Sequence, residues 1–181
     1  IKEILMHKIV CIVGPTASGK TKLGIELCKK LSGEVVSADS MQIYKDMNIG
    51  TAKPDEEEKQ GIPHHLMDFL NPECEYSVAD FVSDANKIIE DITKRGKLPI
   101  ITGGTGLYIN SLVKKATGMA LRHYLIHVRV RVAKNLLCST KMDMRAIAKR
   151  CGFNTATYFN KVFKQETGMT PGEYRKTHLL L

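Results

Sequence analysis

The character of this chain changes near residue 113, and any fold must therefore be built from two unlike parts. Residues 1–113 contain 13 Lys and Arg against 16 Asp and Glu, a net charge of −3, whereas residues 114–181 contain 14 against 3, a net charge of +11. Alternating strand-like and helix-like segments in the first part predict an α/β sheet, and helical patterns fill the second. We predict two units, residues 1–113 and residues 114–181.

Bulk composition sets broad limits on the class of protein. Apolar residues make up 43% and charged residues 25% of the 181 residues, which is ordinary for a soluble globular chain. No run approaches the ~18 apolar residues that a membrane helix needs. The five cysteines are scattered, with no Cys-x-x-Cys pair, which indicates reduced thiols and argues against a zinc site or a disulfide framework. We predict a cytoplasmic protein with no membrane partner.

The strongest motif is a candidate phosphate-binding loop. Residues 9–13 predict a buried strand, residues 14–21 fit the pattern G-x-x-x-x-G-K-[ST], and residues 22–31 have a helical apolar pattern. Backbone N–H groups of such a loop and the following helix N-terminus favour a phosphate, while the Lys adds charge and the Thr hydroxyl can ligate Mg²⁺. The alternative is an ordinary glycine turn before a helix, and the strand–loop–helix order favours phosphate binding. The predicted phosphate-binding residues are Gly14, Pro15, Thr16, Ala17, Ser18, Gly19, Lys20 and Thr21.

The next strand-like segment, residues 34–40, ends in a carboxylate. Ligands of parallel α/β sheets sit at the carboxyl ends of the strands, so Asp39 is expected to face the phosphate pocket. Three roles are open for this residue from the pattern alone. It could lie in the second shell of a magnesium ion, act as a general base, or cap the helix that follows.

Five further segments follow the loop in order, and together with it they resemble a known family. They read SADSMQIY, NIGTAKP, IPHHL, YSVADF and PIITGGTGLY, at residues 37–44, 48–54, 62–66, 76–81 and 99–108. The chain from about residue 6 to 113 resembles the N-terminal portion of the bacterial tRNA dimethylallyltransferases, which prenylate an adenine beside the anticodon. The resemblance implies an α/β P-loop NTPase-like parallel sheet for residues 1–113, and the helical patterns after residue 113 predict that an all-α segment follows it.

The resemblance assigns chemistry to individual residues. Residues 16–21 would cradle the diphosphate of dimethylallyl diphosphate, and Thr21 would help to hold Mg²⁺. Asp39 would accept a proton from the exocyclic amine of the adenine, and Thr105 would lie near the transfer site. Contacts to the target nucleotide of tRNA are implied for Asp39, Ser40, Met41 and Gln42.

The resemblance also argues against other functions of the loop and of the histidine pair. It disfavours a P-loop ATPase or kinase that works on DNA, and it makes a structural or substrate-neighbouring role likelier than metal ligation for His64 and His65. In the family a helical region that grips the anticodon arm comes later, and no such segment follows Tyr108 here. The first unit is therefore expected to be truncated and to have an exposed sheet edge.

The second part contains an internal repeat. Residues 115–124 recur as residues 165–174, fifty positions later, with Thr-Gly-Met and a Tyr at matching places. This pattern predicts two copies of one helical unit, the first of them cut off before its Thr-Gly-Met.

A helix-turn-helix is predicted after a long basic helix over 121–137. The pattern indicates a short helix over 144–150, a turn at Cys151 and Gly152, and a second helix over 155–166 with Asn154 as its N-cap. Hydrogen-bonding and cationic side chains on the outer face of the second helix are suited to bases and phosphates of duplex DNA. The predicted DNA-binding residues are Thr155, Thr157, Tyr158, Asn160, Lys161 and Lys164.

The alternative for this part is a small basic helical bundle. The turn at residues 148–153 and the run over 158–175 instead resemble the C-terminal helix-turn-helix of AraC-type transcription regulators, over about residues 114–177. That family joins two such motifs by a long helix, so the resemblance implies that the first motif is truncated here. The functional hypothesis is a dimethylallyltransferase-type core fused to a DNA-binding module. The alternative hypothesis is a fragment of a transcription regulator with no enzymatic activity.

Overall fold

The structure, a computed structural model, describes residues 8–48 and 50–178, which divide into two compact units between Leu112 and Val113. In the part described, no helix is both long and apolar enough to cross a membrane. The strands are β1 (Val10–Val13), β2 (Gly33–Ser37), β3 (His64–His65) and β4 (Leu98–Gly103). The helices are α1 (Lys20–Leu31), α2 (Glu56–Lys59), α3 (Val78–Lys94), α4 (Gly106–Thr117), α5 (Leu121–Ser139), α6 (Met144–Arg150), α7 (Ala156–Thr167) and α8 (Pro171–His178).

The first unit is a parallel sheet with helices packed on it. Its four strands lie in the order β1-β4-β2-β3, and every pairing is parallel. The two inner strands are rich in β-branched residues and are buried, as parallel strands covered by helices on both faces usually are. Helices α1 and α3 both contact β2 and β4. This arrangement confirms the predicted α/β parallel sheet and positions the carboxyl ends of β1, β2 and β4 at one edge.

Strand β1 departs from its prediction as a buried strand. Among the described residues it pairs only with β4, and its side chains alternate between half-buried and exposed, with Val13 51% exposed and Cys11 also exposed. The prediction of burial is wrong because an apolar, β-branched run gives no information about the strand's place in the sheet. The sheet has an open edge at β1, since the outer backbone groups of this strand have no neighbouring strand among the described residues.

Helix α3 shows how local sequence fixes the packing of this unit. Ser77 caps its first turn, and the Asp80 carboxylate accepts a hydrogen bond from the Ser77 backbone N–H, which completes a capping box. Apolar side chains recur at helical spacing and turn one face toward the sheet. Phe81, on that face, stacks on Tyr108 of α4 with ring centroids 4.2 Å apart.

The second unit is all helical and packs around aromatic side chains. Phe159 and Phe163 of α7 are fully buried and meet edge to face at 5.6 Å. Gly152, with a φ of +79°, makes the tight turn between α6 and α7, a conformation that side chains with a Cβ rarely adopt. The predicted short helix, glycine turn and second helix are all present. The core comprises Val130, Ala133, Leu137, Ile147, Ala148, Cys151, Phe153, Phe159, Val162 and Phe163.

The internal repeat is also a repeat of structure. Helices α4 and α7 each have 12 residues and end fifty positions apart, at Thr117 and Thr167. Each of these hydroxyls donates to the carbonyl four residues earlier, at 2.8 and 2.7 Å, and accepts from the Met N–H two residues later, at 3.2 and 3.3 Å. Gly118 and Gly168 follow with φ of +72° and +78°. The two Thr-Gly-Met turns therefore have the same hydrogen bonds and the same backbone conformation.

Candidate phosphate pocket and DNA-contacting helix

The predicted phosphate loop connects the end of β1 to the start of α1. Gly19 precedes the helix with a φ of +79°, a conformation suited to glycine. The Lys20 ammonium donates to the carbonyl of Pro15 at 2.6 Å, which folds its side chain back across the loop. A Cβ on Gly14 would lie 3.0 Å from Ser18 Oγ. Gly14 and Pro15 thus shape the loop, and residues 16–21 form the surface that it presents.

That surface lines a cavity of about 550 Å³ at the carboxyl ends of the strands. The loop residues from Thr16 to Thr21 share this cavity with Asp39 and Gln42, so the structure brings the predicted phosphate ligands and the predicted base together. The pattern of the sequence did not single out the opposite wall, which comes from the loop around Thr51 and from the far end of α1. The further lining residues are Lys22, Ile25, Glu26, Lys29, Thr51, Ala52, Glu58, Gln60, Thr102 and Gly103.

Asp39 lies two residues beyond β2, in a turn. Its Oδ1 accepts a hydrogen bond from the backbone N–H of Met41 at 3.0 Å. A turn and not an α-helix follows, so the alternative that Asp39 caps a helix is wrong. The segment is held close to β4 because Gly103 has no side chain: a Cβ there would lie 2.2 Å from the carbonyl oxygen of Ala38.

The remaining residues predicted at the transfer site are close to Asp39 in the fold. Thr105 Oγ1 accepts from the backbone N–H of Ser40 at 3.0 Å, which ties the start of α4 to the turn after β2. Met41 is 46% exposed. The Gln42 amide is already engaged, because its Nε2 donates to the carbonyls of Thr51 and Ala52, both at 3.1 Å, and its Oε1 accepts from a serine hydroxyl of β2. Gln42 therefore braces the wall of the cavity.

An ion cluster around a buried carboxylate stabilises the opposite end of the strands, and the sequence patterns did not indicate it. The Glu34 side chain is 2% exposed, and it accepts from the two terminal nitrogens of Arg95 at 2.5 and 2.8 Å and from Lys97 at 2.7 Å. His65 Nε2 lies 2.7 Å from the same carboxylate. The Arg95 bonds, followed by those from Lys97 and His65, hold the pKa of Glu34 far below its usual range, against the effect of burial.

The histidine pair has separate surroundings. His65 faces Glu34, whereas His64 Nδ1 lies 2.8 Å from the carbonyl of Ile62, and burial lowers the pKa of His64. The described residues contain no group of three His, Cys, Asp or Glu side chains that could hold a metal ion. His65 thus connects β3 to β2, while His64 contacts its own segment, and a structural or substrate-neighbouring role for the pair stays a prediction.

Helix α7 exposes the predicted DNA-binding residues together. Thr157, Tyr158, Asn160, Lys161 and Lys164 are all exposed, while Phe159, Val162 and Phe163 are buried on the opposite face. At 100° per residue, four of the exposed side chains, all but Tyr158, fall within about a third of the helix circumference. Tyr158 lies at the margin, with its ring 6.1 Å from that of Phe153.

The N-cap of α7 is one residue later than predicted. The hydroxyl of Thr155 accepts from the Tyr158 N–H at 3.2 Å, and the helix begins at Ala156. The assignment of Asn154 as the cap is wrong, because Asn and Thr are both good capping residues and their order along the chain does not decide between them. Thr155 is exposed, so its hydroxyl stays accessible to solvent.

More than half of the chain is similar to one known protein family. Residues 42–151 match the profile of the family described as IPP transferase. The chain belongs to the IPP transferase family. It is 62% identical over 109 residues to the tRNA dimethylallyltransferase of Alkaliphilus metalliredigens and 63% identical over 108 residues to that of Acetivibrio thermocellus. These matches cover 60% of this chain but only 35% and 34% of those enzymes. The chain spans about a third of the length of the curated relatives it matches.

Solved structures of this family agree with the fold of the chain. The full-length tRNA isopentenylpyrophosphate transferase of Bacillus halodurans is 40% identical, with a TM-score of 0.59, over 87% of this chain and 54% of that one. The tRNA delta(2)-isopentenylpyrophosphate transferase of Staphylococcus epidermidis is 34% identical, with a TM-score of 0.60, over 96% of this chain and 60% of that one.

The C-terminal part matches a second family. Residues 137–176 match the profile of the bacterial regulatory helix-turn-helix proteins of the AraC family. This match overlaps the IPP transferase match over residues 137–151, which cover the end of α5 and all of α6. We assign the overlap to the helix-turn-helix because α6 shares a core with α7, whose sequence only the second profile covers. A tRNA dimethylallyltransferase-like region is thus fused to an AraC-type helix-turn-helix region.

Proposed function

We propose that the cavity binds the diphosphate of dimethylallyl diphosphate and serves transfer of the dimethylallyl group to N6 of an adenine in tRNA. The observation that carries this proposal is the convergence of the loop residues Thr16 to Thr21 with Asp39 on one cavity. Curated relatives that are more than 60% identical over this region have the name tRNA dimethylallyltransferase.

The binding step uses the loop and the start of α1. Backbone N–H groups of the loop and the helix N-terminus accept an anion, and the first turn of α1 contains no acidic residue to oppose it. The Lys20 ammonium leaves the Pro15 carbonyl for a phosphate oxygen. Thr21 lines the same cavity as Asp39, and its hydroxyl would offer an oxygen ligand of the kind that Mg²⁺ prefers, while the Asp39 carboxylate serves as the base. Mg²⁺, when bound, neutralises charge on the departing diphosphate.

The transfer step is a substitution at the allylic carbon. The adenine N6 forms a bond to C1 of the dimethylallyl group, the bond from C1 to the diphosphate oxygen breaks, and its electron pair leaves with the diphosphate. The Asp39 carboxylate accepts the N6 proton, and Met41 together with the backbone from Ser40 to Gln42 contacts the nucleotide. Thr105 fixes this segment through the Ser40 N–H. Such a reaction gains chiefly from alignment and from stabilisation of the leaving group.

The test separates binding from transfer. Dimethylallyl diphosphate with Mg²⁺ is titrated calorimetrically into the full chain, into Lys20→Ala and into Lys94→Ala, an exposed lysine on α3. Binding is expected in the wild type and in Lys94→Ala, and it should weaken at least tenfold in Lys20→Ala. Asp39→Asn should still bind, yet it should leave no dimethylallyl-adenosine in a mass-spectrometric digest of tRNA. Equal binding by all variants would contradict the assignment of the loop.

We further propose that α7 binds duplex DNA, because its exposed face combines three hydrogen-bonding side chains with two lysines and residues 137–176 match the AraC family. Fluorescence anisotropy with a labelled duplex measures this. The double variant Asn160→Ala, Lys161→Ala should abolish binding, and Lys20→Ala should leave it unchanged. Transcription regulation stays a prediction that follows from this role, and cytoplasmic localisation stays a separate prediction.

A further inference from the structure

A buried lysine follows the loop that forms the opposite wall of the cavity. The side chain of Lys53 is 3% exposed, and its ammonium donates to the carbonyl of Tyr44 at 2.8 Å and to the carboxylate of Asp68. A buried charge that lost these acceptors would be costly, so the two partners fix the position of the lysine. Thr51 and Ala52, which directly precede Lys53, line the cavity, whereas Lys53 is not among the described residues that do so. Its charge therefore holds protein segments together and does not face the diphosphate.

The two partners of Lys53 belong to segments that are already paired with each other. The Asp68 N–H donates to the carbonyl of Gln42 at 3.1 Å, and Leu70 forms a parallel bridge with Tyr44. Lys53 comes from a third segment of the chain and bonds to both of these. The ammonium thus joins three segments at the edge of the sheet where β2 ends.

The backbone beside this link is strained at two points. Ala52, next to Lys53, has a φ of +48°, and Asp68 has a φ of +55°. Residues with a Cβ keep this left-handed conformation only where their surroundings enforce it. The Gln42 amide holds the Ala52 carbonyl at 3.1 Å, and the Lys53 ammonium holds the Asp68 side chain. The contacts around Lys53 therefore impose a defined shape on two loops.

The turn that this link supports, residues 39–42, begins with the proposed base. One end of the turn is fixed by the hydrogen bond from the Ser40 N–H to Thr105. Beyond its other end, the carbonyl of Tyr44 is fixed by Lys53. A small displacement of the turn would move the base relative to the adenine, and a misplacement of about 1 Å can lower a rate roughly hundredfold.

We infer that Lys53 is a positioning residue for the transfer step: through Tyr44 and Asp68 it fixes the turn that contains Asp39, and it touches neither the diphosphate nor the adenine. This inference rests on the proposed transfer of the dimethylallyl group. The ammonium of Lys53 bonds to these two partners and not to the phosphate loop. Loss of the ammonium should therefore lower the rate of transfer and leave the affinity for the diphosphate unchanged.

The experiment measures single-turnover transfer to unmodified tRNA by the full chain at saturating dimethylallyl diphosphate and Mg²⁺, and separately the calorimetric affinity for the diphosphate. Lys53→Met keeps an aliphatic stem but removes the ammonium. It should lower the transfer rate roughly tenfold to hundredfold, while the Kd for dimethylallyl diphosphate stays within about twofold of wild type. Lys53→Arg, which keeps a charged donor, should recover part of the rate. The matched control is Lys45→Met, at an exposed lysine beside Tyr44, which should change neither quantity.

The partner of Lys53 gives a second test that leaves the buried side chain in place. The Asp68 side chain is 39% exposed, so Asp68→Asn removes the ion pair at a position that water reaches. The rate should again fall without loss of affinity. If the two residues act through one link, Lys53→Met combined with Asp68→Asn should be no slower than Lys53→Met alone. Hydrogen exchange of peptides covering residues 39–44 should rise in both single variants, while α3 keeps the protection of wild type.

The outcomes separate this inference from the function on which it rests. A wild type that transfers no dimethylallyl group to tRNA overturns the proposed function itself, before any variant is compared. A wild-type rate in both Lys53→Met and Asp68→Asn overturns only the positioning role. A fall in diphosphate affinity that matches the fall in rate, with faster exchange throughout the first unit, also overturns that role, because Lys53 would then only stabilise the fold.

Discussion

Replacement of Glu34 by Gln should loosen the first unit while leaving the second intact. Gln keeps the size of the side chain but removes the charge that faces Arg95, Lys97 and His65. The amide nitrogen of Gln is itself a donor, so it would face the N–H donors of these partners and could not accept hydrogen bonds from them. The effect should appear in β2 and β4, since Glu34 lies on β2 and its two strongest partners directly precede β4.

The size of this effect follows from the exposure of the partners. Breaking a fully buried ion pair costs about 3–5 kcal/mol, and an exposed pair is worth about 0–1 kcal/mol. Glu34 is buried, but the side chains of Arg95 and Lys97 are 39% and 43% exposed and can be rehydrated. An intermediate loss of about 2 kcal/mol is therefore expected, which corresponds to roughly 30-fold faster exchange of amides that open with the unit.

The pH dependence has a fixed sign. The pKa of Glu34 is lower in the folded chain than in the unfolded chain, so its stabilisation is complete above the ordinary glutamate pKa of about 4.3 and is lost as the pH falls further. The difference between wild type and Glu34→Gln should thus be large at pH 7 and should shrink steadily under acid conditions below about pH 4.

The assay is amide hydrogen exchange read by mass spectrometry, which reports the two units separately. Glu90→Gln is the matched control, because Glu90 is an exposed carboxylate on α3 of the same unit. Equal exchange of Glu34→Gln and Glu90→Gln at pH 7, or a gap between Glu34→Gln and wild type that widens on acidification, would contradict this role of Glu34.

Three further predictions concern the cap of α7, the close contact at Gly103 and the aromatic core of the C-terminal unit. Thr155→Ala should destabilise the C-terminal unit by about 1 kcal/mol because the cap of α7 is lost. Asn154→Ala should change the urea midpoint of that unit little. A larger effect of Asn154→Ala than of Thr155→Ala would identify Asn154 as the cap. Gly103→Ala should displace the segment that precedes Asp39, because its Cβ meets the Ala38 carbonyl, and should weaken dimethylallyl diphosphate binding; unchanged calorimetric affinity would refute that coupling. Phe159→Ala should cost about 3–5 kcal/mol in the C-terminal unit alone, and a matching loss in the first unit on hydrogen exchange would contradict independent cores.

The sequence predicted features that depend on near neighbours. The loop, the helix after it and the glycine corner between α6 and α7 all follow from short motifs. The matching Thr-Gly-Met turns follow from the repeat. Each of these has its decisive hydrogen bonds within five residues along the chain, so local pattern contains the information.

Features that depend on distant partners could not be predicted in this way. The Glu34 carboxylate meets Arg95 across 61 positions, and the only local sign was an acidic residue at the start of an apolar strand. The open edge at β1 depends on strand order, which an apolar run does not encode. The wall of the cavity around Thr51 depends on the Gln42 amide, whose partners lie nine and ten positions away on an irregular loop.

Recognition of an allylic diphosphate by the cavity can be measured by hydrogen exchange of the purified chain with and without dimethylallyl diphosphate and Mg²⁺. Peptides covering residues 14–21 and Asp39 should become more protected with ligand, and Lys20→Ala should remove the change. Identical exchange of these peptides with and without saturating ligand, while the helix-turn-helix stays protected, would exclude recognition of the diphosphate and leave only the proposed DNA binding.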